Sequence, residues 1–98
     1  MMIGRVVGTV VSTQKDEKLT AMKLHLVEQT DIAGRGEKKY VVAVDSVGAG
    51  VGELILYASG SSARQTELTN NKPVDTVIMG IVDAIHKNGV DVYMKSKE

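Results

Sequence analysis

Apolar positions fall in short runs between polar stretches along the whole chain, and few of the runs keep a helical period. Residues 3–13, IGRVVGTVVST, are rich in valine and threonine and are broken by Gly4 and Gly8. β-branched side chains suit a pleated surface, and glycine inside such a run marks a bulge or bend, so this segment predicts a bent strand that turns a barrel corner. The polar TQKDEK reads as a loop. Residues 22–28 alternate, with Met22, Leu24 and Leu26 on one face and Lys23, His25 and Val27 on the other. DIAGRGEKK then reads as a polar hairpin loop. Residues 40–47 set Tyr40, Val42 and Val44 opposite Val41, Ala43 and Asp45, and residues 53–58 form a fourth run between two glycine-rich loops.

The second of those loops gives Ser61 or Ser62 a place to cap one short helical turn through Arg64 and Gln65. TNNKPVD is a further polar connection, in which Pro73 withholds a ladder donor. Residues 77–87 and 90–95 flank Asn88-Gly89, the preferred pair for a two-residue type I′ hairpin. That register sets His86 opposite Asp91 and Ile85 opposite Val92. Five or six strands with one short helical element predict an all-β chain, a small closed or nearly closed barrel, occupying residues 1–98 as one domain.

Composition narrows the function. Twelve basic and twelve acidic side chains cancel, so no broad field draws nucleic acid or an acidic membrane. Cysteine is absent, which removes disulfides and thiolate ligands and is compatible with a reducing cytoplasm. The N-terminal stretch lacks the basic region and uninterrupted apolar core of a signal peptide, and no run approaches the ~20 apolar residues of a membrane helix. A soluble protein is expected.

The glycine loops suggest phosphate, but the context is wrong. A dinucleotide fingerprint needs a glycine loop that opens a helix, whose N-terminus receives the pyrophosphate. Here GAGVG runs into ELILYAS, which has strand character, so the glycines serve positive φ angles or a close backbone approach. His25 and His86 are far apart in sequence with no metal-ligand spacing. His25 shares a face with Lys23 and is expected at a surface or interface, while His86 pairs across the hairpin with Asp91. Ser61 and Ser62 have no histidine base beside them and read as caps or interface donors. No catalytic residue, metal or cofactor is expected. A barrel of this kind also suits single-stranded nucleic acid, the alternative reading, but that binding stacks bases on aromatics beside a basic groove. The chain has only Tyr40, Tyr57 and Tyr93.

Four motifs, DSVGAGVGE, SGSSARQ, PVD and GIVD, occur in this order and spacing, after the opening IGRVVGTVVST. Together they resemble the EutN/CcmL family of bacterial microcompartment vertex proteins over residues 2–94, with departures confined to the loops TQKDEKLTA and DIAGRGEKK. The resemblance implies a five-stranded OB-like barrel that assembles as a homopentamer. It also implies a structural role, capping the vertices of a cytoplasmic shell otherwise tiled by hexameric shell proteins, with no nucleic acid and no membrane as partners. By the same resemblance Gly48, Ala49, Gly50 and Gly52, with Ser59, Gly60, Ser61, Ser62 and Arg64, belong to the subunit interface or axial pore. Either loop could line the axial opening. The two loops are expected to meet near the subunit joint, where Arg64 needs acidic partners, and Glu53, Asp75 and Asp83 are the candidates. The alternative for Arg64 is a solvent-facing side chain after a turn.

Overall fold

The computed structural model describes residues 1–13, 17, 22–60, 63 and 75–98. Its strands are β1 (Met2–Val10), β2 (Leu24–Thr30), β3 (Gly36–Asp45), β4 (Leu54–Ser59), β5 (Thr76–Ile81), β6 (Ala84–Lys87) and β7 (Val90–Met94). The first five close into a barrel in the order β1-β2-β3-β5-β4, and β6 and β7 form a separate two-stranded sheet. Every ladder is antiparallel except β3 with β5, which runs parallel through Val44–Val77 and Asp45–Ile78. This is the OB-like barrel that the sequence predicts. Among the described residues no helix is long and apolar enough to cross a membrane.

β1 is the seam of the barrel. Its first half pairs with β4, from Met2–Tyr57 to Arg5–Leu54, and most of its length pairs with β2. The expected bulge is present, because the ladder slips between Val6 and Gly8. Gly4 faces the interior, where an added Cβ would stand 2.6 Å from Val27 Cγ1, 2.8 Å from the Tyr57 ring and 2.9 Å from the Glu28 carbonyl. The ring of Tyr57 fills the space that a side chain at position 4 would need. Around it Val6, Val27, Ala43, Ala49, Ile55 and Ile78 complete the interior. Two apolar clusters cover parts of the outer surface: Met22, Val44, Ala63 and Val77 on one side, and Leu54, Val82 and Tyr93 with Ile3, Leu56 and Ile85 on the other. The second cluster fixes the hairpin to the barrel.

Several expectations need correction. The first strand stops at Val10 rather than residue 13. The polar DIAGRGEKK is a loop only at residues 31–35, where Asp31 Oδ1 accepts from the amides of Ala33 and Arg35 at 2.9 and 3.0 Å; GEKK begins β3. The run 77–87 is not one strand, because the chain breaks between β5 and β6, where the Val82 amide donates to the Leu54 carbonyl at 2.9 Å. Asn88 and Gly89 take the predicted positive φ angles, +53° and +77°, and His86 does face Asp91. Ile85, however, pairs with Tyr93 and not Val92, since the ladder slips by one residue and turns Tyr93 toward the barrel. The exposed residues after β7 form a 3-10 turn at Lys95–Lys97. The predicted helical turn after Ser61 and Ser62, and Pro73, lie outside the described residues.

Candidate functional site

The loop at residues 46–53 is built from its two ends inward. At its start Asp45 Oδ1 accepts from the amides of Val47, Gly48 and Ala49 at 3.0, 3.0 and 3.2 Å. Its Oδ2 lies 3.1 Å from His25 Nε2, which is also 3.0 Å from the Ala49 carbonyl. Both partners of Nε2 are acceptors, so Nε2 carries the hydrogen and donates to each. Burial alone would raise the Asp45 carboxyl, but the amides of Val47 and Ala49 and the His25 ring outweigh it and hold the group below its ordinary 3.8. Ala49 is buried in the cluster that fills the barrel, so the loop folds back onto the interior.

At the other end Glu53 Oε1 accepts from the Gly50 amide at 2.6 Å, and Oε2 from Lys95 Nζ at 2.6 Å. These bonds, Lys95 first, lower the Glu53 carboxyl below its ordinary 4.5. The Gly52 amide donates to the Val6 carbonyl at 2.7 Å, and its own carbonyl accepts from Arg5 Nη1 at 2.8 Å. Arg5 also reaches the Gly34 carbonyl and grips both carboxylate oxygens of Glu98 at 2.9 and 3.0 Å. One guanidinium thus ties the loop, the β2–β3 turn and the C-terminal turn together.

Gly48 and Gly52 hold φ of +76° and +96° with open space where a Cβ would be, so the backbone conformation requires glycine there. Gly50 needs it less, since its Cβ would meet only Glu53 Oε1, at 3.4 Å. Supported from below, the loop presents Val47 and Val51 to solvent at 39% and 62% exposure.

The second glycine motif begins at the opposite end of β4. The six residues of β4, on the order of 15–20 Å, separate Gly60 from the first loop. Ser59 Oγ lies 3.5 Å from Thr76 Oγ1, and the Gly60 amide donates to the Asp75 carbonyl at 2.7 Å. Asp75 therefore stands at the Ser59 end of β4. Glu53 and Asp83 stand at the other, where the Asp83 carbonyl accepts from the Lys95 amide at 2.9 Å. Glu53, expected as a partner for Arg64, is engaged within its own chain. Ser61, Ser62 and Arg64 lie outside the described residues.

His25 is a correction in full: it is 1% exposed, not at a surface, and supports the loop from inside the barrel. Arg5 was not singled out by the sequence, because nothing near it in the chain marks its partners. Two of the three tyrosines are also unavailable for stacking, Tyr57 at 1% and Tyr93 at 5% exposure.

A model of the family described as "Ethanolamine utilisation protein EutN/carboxysome" matches residues 1–83. The carboxysome shell vertex protein CcmL of Gloeobacter violaceus is 42% identical over 98 residues, covering 100% of this chain and 98% of the relative. The bacterial microcompartment shell vertex protein EutN of Salmonella typhimurium is 41% identical over 95 residues, covering 97% and 96%. Among solved structures, Gloeobacter violaceus CcmL superposes with a TM-score of 0.93 at 43% identity, covering 98% of this chain and 99% of the other. The GrpN pentameric microcompartment shell protein of Rhodospirillum rubrum gives 0.81 at 40% identity, covering 89% and 99%.

Proposed function

The chain belongs to the EutN/CcmL family, and from that membership we propose that it is a non-catalytic shell protein of a cytoplasmic bacterial microcompartment. Five copies form a ring that occupies a vertex of the shell, beside hexameric shell proteins. The observation that carries this reading is the similarity, over essentially the whole chain, to shell vertex proteins from different compartments. Hexagonal tiles alone make flat sheets, so a closed shell needs pentagonal units. A ring related by one rotation is held by heterologous contacts, in which one face of each subunit meets a different face of the next.

Within that ring the loop of Gly48, Ala49, Gly50 and Gly52, and the motif of Ser59, Gly60, Ser61, Ser62 and Arg64, contribute to the subunit joint or the axial opening. The rigid base of the first loop and the exposed Val47 and Val51 support this placement. The two motifs begin at opposite ends of β4, an arrangement that suits contacts between copies. Asp75 stands at the Ser59 end of β4, and Glu53 and Asp83 at the other; each is a candidate acidic partner for Arg64 at the joint. The nucleic-acid reading has no comparable support, since only Tyr40 among the tyrosines is open to stacking.

Native mass spectrometry across a dilution series tests the ring, and co-expression with hexameric shell proteins tests the vertex role. The expected results are a persistent pentamer and closed particles that incorporate it. A monomer at every concentration would sink the proposal.

A further inference from the structure

Arg5 and Tyr93 together present three hydrogen-bond donors to one carboxylate, and that carboxylate comes from the exposed end of a short turn. Arg5 Nη1 donates to Glu98 Oε1 at 2.9 Å and Nη2 to Oε2 at 3.0 Å, while the Tyr93 hydroxyl donates to Oε1 at 2.9 Å. The guanidinium is held from behind by groups outside that turn. Nη1 also donates to the Gly52 carbonyl at 2.8 Å and Nη2 to the Gly34 carbonyl at 3.1 Å. Each terminal nitrogen thus spends one hydrogen on the barrel loops and aims the other at the carboxylate. Gly34 leaves room for this, since a Cβ there would stand 2.7 Å from Arg5 Nη2 and 3.5 Å from the Tyr93 ring. Tyr93 is 5% exposed, so its hydroxyl needs an acceptor at this spot.

The holder is built more firmly than what it holds. The turn Lys95–Lys97 contains no buried residue, the Glu98 amide donates to the Lys95 carbonyl at 3.2 Å, and the Glu98 side chain is 43% exposed. Lifting Glu98 therefore removes no buried side chain from the core and breaks bonds that another carboxylate would remake. It would leave two guanidinium hydrogens and a buried hydroxyl aimed at one place. We propose that Arg5 and Tyr93 form a binding site for an organic carboxylate, and that Glu98 is its built-in, exchangeable occupant. A planar fork of two donors fits a carboxylate better than a round halide, and the hydroxyl distinguishes one oxygen from the other. The carboxylate is carried by a small organic acid or by the end of a polypeptide, which present the same two oxygens. Glu98 competes as a tethered ligand, so it fills the site until an outside acid outweighs its local concentration. The site lies within one chain and does not depend on the proposed ring.

Glu98→Ala in the full chain empties the site, and thermal unfolding at neutral pH reads its occupation. Sodium acetate is compared with sodium chloride at equal ionic strength. Relative to chloride, acetate should raise the Tm of E98A saturably, with half-saturation in the millimolar range. The parent, whose own carboxylate competes, should need about fivefold more acetate. Adding Tyr93→Phe to E98A should weaken acetate binding about tenfold, through loss of one donor to a charged group. An acetate effect equal in the parent and E98A, or absent from both, overturns the proposal, as does one that survives Y93F undiminished. As an arm that needs no variant, the magnetic resonance signals of the Arg5 guanidinium in the labelled parent should move as acetate displaces Glu98. Signals that stay fixed at saturating acetate equally overturn it. A short peptide with a free C-terminal carboxylate, set against its amidated form, identifies the source. Binding tighter than acetate and lost on amidation assigns a chain end, and binding no tighter than acetate assigns a small acid.

Discussion

The chain holds two histidine–aspartate pairs, and their settings are opposite. His25 and Asp45 are 1% and 3% exposed and 3.1 Å apart, while His86 and Asp91 are 64% and 50% exposed and only 2.5 Å apart. The shorter contact is the weaker one. On the hairpin surface, water and salt screen the pair and two mobile side chains lose entropy to make it. Inside the barrel, Asp45 has no water to fall back on, and it satisfies three loop amides as well as the imidazole. Burial and the number of dependents decide the energetics, and distance does not.

The largest effect should come from Asp45→Ala, which strands the loop amides and the His25 donor. A loss of about 3 kcal/mol is expected, or roughly 12–24 °C in Tm for a domain of this size, measured by thermal unfolding. A loss below 1 kcal/mol would show that the buried pair matters no more than the exposed one. The pH dependence should follow in the same direction. Because the folded Asp45 carboxyl lies below its ordinary 3.8, its contribution is complete above about pH 4 and is lost as pH falls through the lower, folded value. Asp45→Asn should therefore flatten the acid limb of stability between about pH 4 and pH 2.

Gly4→Ala comes next, at about 1–3 kcal/mol, since the new methyl would press on Val27, Tyr57 and the Glu28 carbonyl. Urea denaturation would measure it, and a neutral result would mean that Tyr57 can shift. Glu98→Gln should cost less than about 1 kcal/mol, because the Arg5–Glu98 pair is 22% and 43% exposed. The difference should shrink at high salt. His86→Ala should stay within about 0.5 kcal/mol at any salt concentration. A larger loss would overturn the contrast from its exposed side.

How much of this was legible beforehand depends on how local the signal was. Asn88-Gly89 announced its hairpin because two consecutive positive φ angles admit few residues. The valine-rich runs and the glycines in the first strand announced a bent sheet. The place of His25 was hidden for a physical reason. Both faces of β2 carry apolar side chains, because the outer surface is itself partly covered by Met22 and Ala63, so alternation could not tell inside from outside. Bulges at Val7 and in the hairpin each shift a face by one residue, which moved Tyr93 into the place predicted for Val92. Of the candidate interface, the glycines were legible as conformational necessities. The supports beneath them were not, since Arg5 finds its partners 29, 47 and 93 residues away.

Those separations also set a timetable. β1 is the first of these strands to be synthesised, yet it is the seam between β2 and β4 and must wait for residues 54–57 before the barrel can close. Closing so long a loop slows folding more than it weakens the product. The outer face of Ile3, Leu54 and Leu56 waits longer still, because its cover, the β6–β7 hairpin, arrives last. A nascent chain therefore shows this sticky flank to its surroundings until residues 84–94 have emerged, and Arg5 waits beyond that point for the grip of Glu98.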